Sequence, residues 1–149
     1  MLSYVFTSGT TGLPKACKIT HLREAEGGIF FSRINGVVAE DRIFSPIGLH
    51  HSAGSLPLAM CLVTGATLVL SKSFSASGTI PACRESGATV LVYIGEMLRY
   101  IANSPVTPDD RNHSLRMLLG NGLRPDVWDR FVDRFGIEPS GVREYYSST

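Results

Sequence analysis

Apolar residues in this chain fall into short, nearly unbroken runs, separated by longer stretches in which apolar and polar positions recur at helical spacing. Residues 2–6 (LSYVF) read as a buried strand, being apolar and rich in β-formers. Strands are likewise predicted at 41–45 (DRIFS), 66–70 (ATLVL), 88–93 (ATVLVY), 115–119 (LRMLL) and 142–146 (VREYY). Between them, residues 22–34 predict an amphipathic helix, with Glu24, Glu26 and Arg33 set against Ile29, Phe30, Phe31 and Ile34. Asn35-Gly36 closes it in the left-handed manner. Residues 52–63 predict a largely apolar helix stopped by Gly65, and another helix begins at Ser75 and runs towards Gly87. Two more are expected at about 95–103 and 125–135, the last opened by Pro125 and closed by Gly136. Residues 15–21 carry no predicted element, and 104–112 (SPVTPDDRN) form a polar, two-proline connection expected to be the most exposed stretch.

Continuously apolar strands separated by helices imply a mostly parallel sheet flanked by helices on both faces, so the fold class is α/β. In such sheets ligands sit beyond the carboxyl ends of the strands. That rule singles out residues 7–15, 46–54, 93–96, 120–124 and 147–149, which are also the stretches of least ordinary composition.

Bulk composition narrows the partners. The 149 residues are enough for one domain burying about 70% of its unfolded surface. Net charge is +1 and the basic residues are scattered, so no nucleic-acid partner is expected. Only 18% of residues are charged against 44% hydrophobic, a balance that suits an interior piece of something larger. Cys17, Cys61 and Cys83 are widely spaced and odd in number, so they read as free thiols in a reducing compartment. No signal peptide is predicted, and the most apolar run, 56–70, is interrupted by Thr64-Gly65 and too short to span a bilayer.

The chemistry concentrates first in Thr7-Ser8-Gly9-Thr10-Thr11-Gly12-Leu13-Pro14-Lys15. Two glycines three apart allow a loop whose backbone N–H groups converge on an anion. The hydroxyls of Thr7, Ser8, Thr10 and Thr11 add donors and Lys15 adds a cation, a set suited to a triphosphate. The spacing is not that of a Walker loop, because Pro14 stands directly before the lysine.

Three further stretches follow predicted strands. In Gly48-Leu49-His50-His51-Ser52-Ala53-Gly54, His51 falls near a helix start, where the dipole disfavours the imidazolium. Alone, this reads as a helix cap with two solvent-facing histidines, and no third ligand suggests a metal. Gly120-Asn121-Gly122-Leu123-Arg124 resembles the start of a dinucleotide fingerprint but meets Pro125 at the third glycine position. Its two glycines could still let a flat base lie against the backbone. Tyr145-Tyr146-Ser147-Ser148-Thr149 offers an aromatic face and three hydroxyls, and alone would read as a frayed end.

The order TSGTTGLPK, HHSAG, GNGLR, YYSST resembles that of the nucleotide- and substrate-site motifs of the adenylate-forming (AMP-binding) enzymes. Residues 72–77 (KSFSAS), 93–100 (YIGEMLRY) and 120–128 (GNGLRPDVW) resemble the fatty acid transport protein branch, the very-long-chain acyl-CoA synthetases. Relatives that activate carnitine-type or bile acids share parts of these strings. The resemblance implies an ATP-dependent ligase that joins a fatty acid to AMP, releasing pyrophosphate with Mg2+, then transfers the acyl group to coenzyme A. It implies that Ser8, Gly9, Thr10, Thr11, Gly12 and Lys15 hold the β- and γ-phosphates and that Thr7 helps ligate Mg2+. It further implies that His51 lies beside the acyl and pantetheine pocket and that Gly120, Asn121 and Gly122 form the adenine-side loop. Tyr145, Tyr146, Ser147, Ser148 and Thr149 would pack on the adenine and reach the α-phosphate, and Lys15 and His51 are the expected catalytic pair. By the same resemblance the protein is linked to fatty acid uptake and associates with a membrane (endoplasmic reticulum, plasma membrane or peroxisome), its catalytic domain facing the cytosol.

Three departures are visible. Gly48-Leu49-His50-His51 stands where the family usually has Pro-Leu-Tyr-His, and Ser147 stands at a usual glycine. The family's magnesium-binding glutamate, ribose-binding aspartate, hinge arginine and carboxyl-terminal lysine have no counterpart in these residues. Residues 1–149 are therefore expected to be a partial AMP-binding domain, without the amino-terminal part of the large domain or the carboxyl-terminal subdomain. Membrane-anchoring regions are expected outside it, and the polypeptide alone is expected to be poorly soluble and inactive. A non-catalytic nucleotide-binding remnant is the competing expectation.

Overall fold

The computed structural model describes residues 1–7 and 12–145, with Thr7 described by its backbone alone. Five parallel strands form the main sheet in the order β4-β3-β5-β6-β7. They are β3 (Arg42–Ser45), β4 (Thr67–Leu70), β5 (Val90–Ile94), β6 (Met117–Asn121) and β7 (Val142–Glu144). The helices between and before them are α1 (His21–Asn35), α2 (Ser52–Thr64), α3 (Thr79–Ser86), α4 (Gly95–Ala102) and α5 (Pro125–Phe135). The α/β expectation holds.

Alternation along the strands sorts the core into two layers. Ile43, Val90, Val92, Met117 and Leu119 face α1 and α2, where Met60 and Cys61 of α2 close over them. Leu91, Tyr93 and Leu118 face α3, α4 and α5, where Cys83, Leu98, Ile101, Phe131 and Phe135 close over them. The chain leaves β3 outward to β4 but leaves β5 and β6 in the opposite direction. Right-handed crossovers therefore put α2 on one face and α4 and α5 on the other, and open a crevice between β3 and β5 at their carboxyl ends.

The opposite, amino end of the sheet is pinned by one carboxylate. Buried Asp41 accepts from Val38 N at 3.0 Å, Thr89 Oγ1 at 2.7 Å and the Arg116 guanidinium at 2.6 Å, joining the starts of β3, β5 and β6. Burial pushes this carboxyl up, but the hydrogen bonds from Arg116, Val38 and Thr89 outweigh it and hold it below the usual range.

Four predicted details change. Residues Lys15–Ile19 form a strand, β2, which pairs antiparallel with β1 (Ser3–Thr7) as a hairpin separate from the main sheet. Of the β1 residues whose burial is described, only Val5 is buried, because one face of the hairpin looks outward. Helix α1 is not amphipathic in the expected sense: Gly28 and Ser32 are its buried residues, while Ile29, Phe30 and Ile34 are exposed. A Cβ at Gly28 would lie 2.8 Å from the Ala59 carbonyl, so small residues set the close approach of α1 and α2. Finally, the two-proline connection is exposed at 105–109, 111 and 112 as expected, but it is anchored at Asp110, which is buried and accepts from Arg134 Nε at 2.7 Å.

The thiols of Cys61 and Cys83 are free and buried, and burial pushes them up to about 11 and about 12. Among the described residues no helix is long and apolar enough to cross a membrane.

Candidate functional site

A cleft of about 380 Å³ opens beside the carboxyl edge of the sheet. Five parts of the chain line it: Ile19 of β2; Arg23, Glu24, Gly27 and Phe31 of α1; 51–56 with the exception of Gly54; Asn121 at the end of β6; and Tyr145 just after β7. His51, Asn121 and Tyr145, which the sequence places in three separate motifs, thus share one cavity.

His51 owes its position to the turn that leaves β3. Its backbone N–H donates to Gly48 O at 3.1 Å, and a Cβ at Gly54 would run into the same carbonyl, so the first turn of the helix needs a glycine at 54. With extended backbone (φ −102°, ψ 143°), His51 is the N-cap of α2, and its Nδ1 accepts from Ala53 N at 3.0 Å. An Nδ1 that accepts leaves the proton of the neutral ring on Nε2. His51 is therefore both the helix cap and part of the cleft wall, whereas His50 packs over Gly48 and does not line the cleft.

The opposite wall is built by strand alternation. Tyr145 N donates to Gly120 O at 2.9 Å, extending the β6–β7 pairing by one residue. The Tyr145 ring lies 4.9 Å from that of Phe31, and burial pushes its hydroxyl above the ordinary value. Gly120 points to the other face. A Cβ there would strike the Tyr93 carbonyl and stand 2.7 Å from Cγ of the Tyr93 ring, so that ring lies across β6 where a side chain would otherwise be. Gly122 follows with φ +72°, turning the chain towards α5.

Two residues to which the sequence assigned no site role, Tyr93 at the head of the stretch 93–96 and Glu144, meet on that far face. The Glu144 carboxylate accepts from Leu123 N at 2.7 Å, and the Tyr93 hydroxyl reaches the same oxygen at 3.5 Å. Burial, reinforced by the Glu144 charge, pushes the Tyr93 hydroxyl well above its ordinary value and keeps it a donor. No short motif announces this pair, because it depends on Tyr93, Gly120 and Glu144 sharing one row across β5, β6 and β7. Gly27 and Phe31 were also missed, being ordinary helix residues until α1 is docked.

The remaining expected residues lie apart. The register sets Thr7 opposite Lys15, so the hairpin brackets the hydroxyl-rich loop at its two ends. Gly12 and Lys15 are exposed, and neither is among the residues lining the cleft. Ser8, Gly9, Thr10 and Thr11, and likewise Tyr146, Ser147, Ser148 and Thr149, lie outside the described residues. Among the described residues, no three His, Cys, Asp or Glu side chains gather where they could hold a metal ion.

Comparison with known proteins bears on the family and the fold. The family model for AMP-binding enzymes matches residues 1–149. Long-chain fatty acid transport protein 2 of Rattus norvegicus is 48% identical over 147 residues, covering 98% of this chain and 23% of that protein. Long-chain fatty acid transport protein 5 of Homo sapiens is 44% identical, covering 98% and 21%. The chain thus spans less than a quarter of the length of these relatives. Among solved structures, the inhibitor-bound N-terminal domain of FACL13 from Mycobacterium tuberculosis superposes with a TM-score of 0.84 at 20% identity, covering 97% of this chain and 36% of that one. O-succinylbenzoate Coenzyme A synthetase from Bacillus subtilis, in complex with AMP, gives 0.75 at 24% identity, covering 89% and 27%.

Proposed function

The chain belongs to the AMP-binding enzyme family, and on that premise we propose that the full-length protein containing it is a long- or very-long-chain fatty-acid–CoA ligase. Residues 1–149 are then part of the large amino-terminal domain of that enzyme. The observation that carries the reading is the 48% identity to a long-chain fatty acid transport protein over nearly the whole chain. The gathering of His51, Asn121 and Tyr145 around one cleft supports it.

The chemistry has two steps. A carboxylate oxygen of the fatty acid attacks the α-phosphorus of ATP, the bond to the β-phosphate breaks, and pyrophosphate leaves. The sulfur of coenzyme A then attacks the acyl carbon, AMP leaves with the bridging oxygen, and the thiol proton passes to solvent.

The chain's own residues divide this work. Backbone N–H groups of the 7–15 loop, its hydroxyls and the Lys15 cation hold the departing pyrophosphate, where charge develops in the transition state. Thr7 would join Mg2+, which travels with the nucleotide and offsets phosphate charge. His51, its Nδ1 tied to the helix backbone, presents Nε2–H towards the acyl group and the pantetheine arm. Gly120, Asn121 and Gly122, with Tyr145 to Thr149, take the adenine and the α-phosphate. Trapping the acid as its thioester would drive uptake, and membrane association would come through parts of the protein outside these residues.

The test is fatty-acid-dependent formation of AMP and acyl-CoA by the full-length protein with ATP, Mg2+ and coenzyme A. Lys15→Ala is expected to lower kcat about a hundredfold, and to lower fatty acid uptake in cells in parallel. A well-folded wild-type protein that forms no AMP with long-chain acids overturns the reading.

A further inference from the structure

The row Tyr93, Gly120, Glu144 runs across three neighbouring strands. Because Gly120 has no side chain, the Tyr93 ring crosses β6 and brings its hydroxyl to Glu144. The same carboxylate holds the backbone N–H of Leu123 at 2.7 Å, in the turn just after Gly122. Successive strand residues point to opposite faces. The residues next to Gly120 and Glu144 are Asn121 and Tyr145, and both line the cleft on the other side of the sheet. A carboxylate that fixes one face of the two strand ends therefore sets the spacing of the two cleft side chains on the other.

We propose that Glu144 is a positioning residue for the nucleotide side of the cleft, clamping the turn 121–123 to the end of β7. The inference rests on the ligase reading only in naming the nucleotide as the ligand set in place. Glu144 touches no substrate and acts through Leu123, Asn121 and Tyr145. A carboxylate suits the task because a charged acceptor holds a backbone N–H more tightly than a neutral one.

The test uses the full-length protein, with Glu144→Ala, Glu144→Gln and Tyr93→Phe. Glu144→Ala is expected to raise the KM for ATP about tenfold, with kcat and the KM for fatty acid within about twofold. Glu144→Gln, which keeps an acceptor oxygen, is expected to recover most of the loss, and Tyr93→Phe to fall between. An unchanged KM for ATP in Glu144→Ala, or a rise only in the KM for fatty acid, overturns the proposal. Residue-resolved hydrogen exchange on the wild type gives a readout that needs no variant to fold and no activity. The Leu123 amide is expected to exchange slowly, and exchange at the rate of a free amide overturns the clamp. A wild type that lacks ligase activity yet protects Leu123 refutes the ligase reading and leaves the clamp standing.

Discussion

The two helical layers of this molecule are built on different rules. On one face of the sheet, α3, α4 and α5 are amphipathic: Leu98, Ile101, Phe131 and Phe135 go inward and charged residues go out. On the other, α1 and α2 meet through Gly28 and Ala59, and their large apolar residues also face outward. Phe30 is 57% exposed and Leu62 77%. Helix α2 carries no charged residue and a helix apolar all round belongs in an interior, so the α1–α2 layer has the character of a middle layer and the α3–α5 layer that of an outer one. The cleft lies on the α1–α2 side. The scaffold of the fold and the wall of its site are thus different helices under different constraints.

The comparison breaks most readily at Arg134. Its guanidinium takes Asp110 at 2.7 Å and donates to the carbonyls of Ala102, Ser104 and Pro105, locking α4 and α5 to the connection between them. Arg134→Ala should cost about 3 kcal/mol in urea unfolding of the full-length protein, since it leaves the Asp110 carboxylate without its cation and held by Thr107 alone. The hydrogen bond from Arg134 holds the Asp110 carboxyl below its usual range. A carboxyl depressed in the folded state binds fewer protons than in the unfolded chain. Its stabilisation is therefore complete above the unfolded value, about pH 4, and is lost as pH falls below it. An Arg134→Ala variant should show a flatter stability profile on the acid side.

A smaller effect is expected at the α1–α2 contact. Gly28→Val should force the helices apart and cost about 1–3 kcal/mol, while Gly27→Ala, whose Cβ would stand 3.5 Å from Leu56, should fold normally and shrink the cleft. Equal costs at the two positions would remove the argument that small residues define this interface. The smallest change in stability belongs to Phe30→Gln with Leu62→Gln, each within about 0.5 kcal/mol as surface substitutions. Their readout is association: sedimentation of the isolated chain should shift from aggregates towards monomer. If it does not, the exposed apolar face of α1–α2 does not drive association of the isolated chain.

The sequence carried the sheet well and the layers unevenly. Runs such as Val90–Leu91–Val92 and Met117–Leu118–Leu119 can only be strands covered on both sides, and they are. His51, Asn121 and Tyr145 were linked only through the order of their motifs, since alone the first reads as a helix cap and the last as part of a frayed end. Helix α1 misled because periodicity assumes that large apolar residues seek the core, whereas close helix packing here selected Gly28. Strand β2 was missed because two lysines in five residues dilute its alternation. Glu144 was unreadable for a different reason: its meaning depends on register and on a side chain that Gly120 lacks.

The pairing of β1 with β2 bears on which length changes this protein can tolerate. Five consecutive residue pairs, from Ser3 with Ile19 to Thr7 with Lys15, fix which face each side chain takes. An insertion within residues 16–19 would slip the register by one and turn the strand residues beyond it, Ile19 among them, to the opposite face. An added residue between Gly12 and Pro14 would leave every pair intact. The loop it would lengthen is the one proposed to hold the pyrophosphate, so length variation among homologues should be absent from the turn as well as from the strand that follows it.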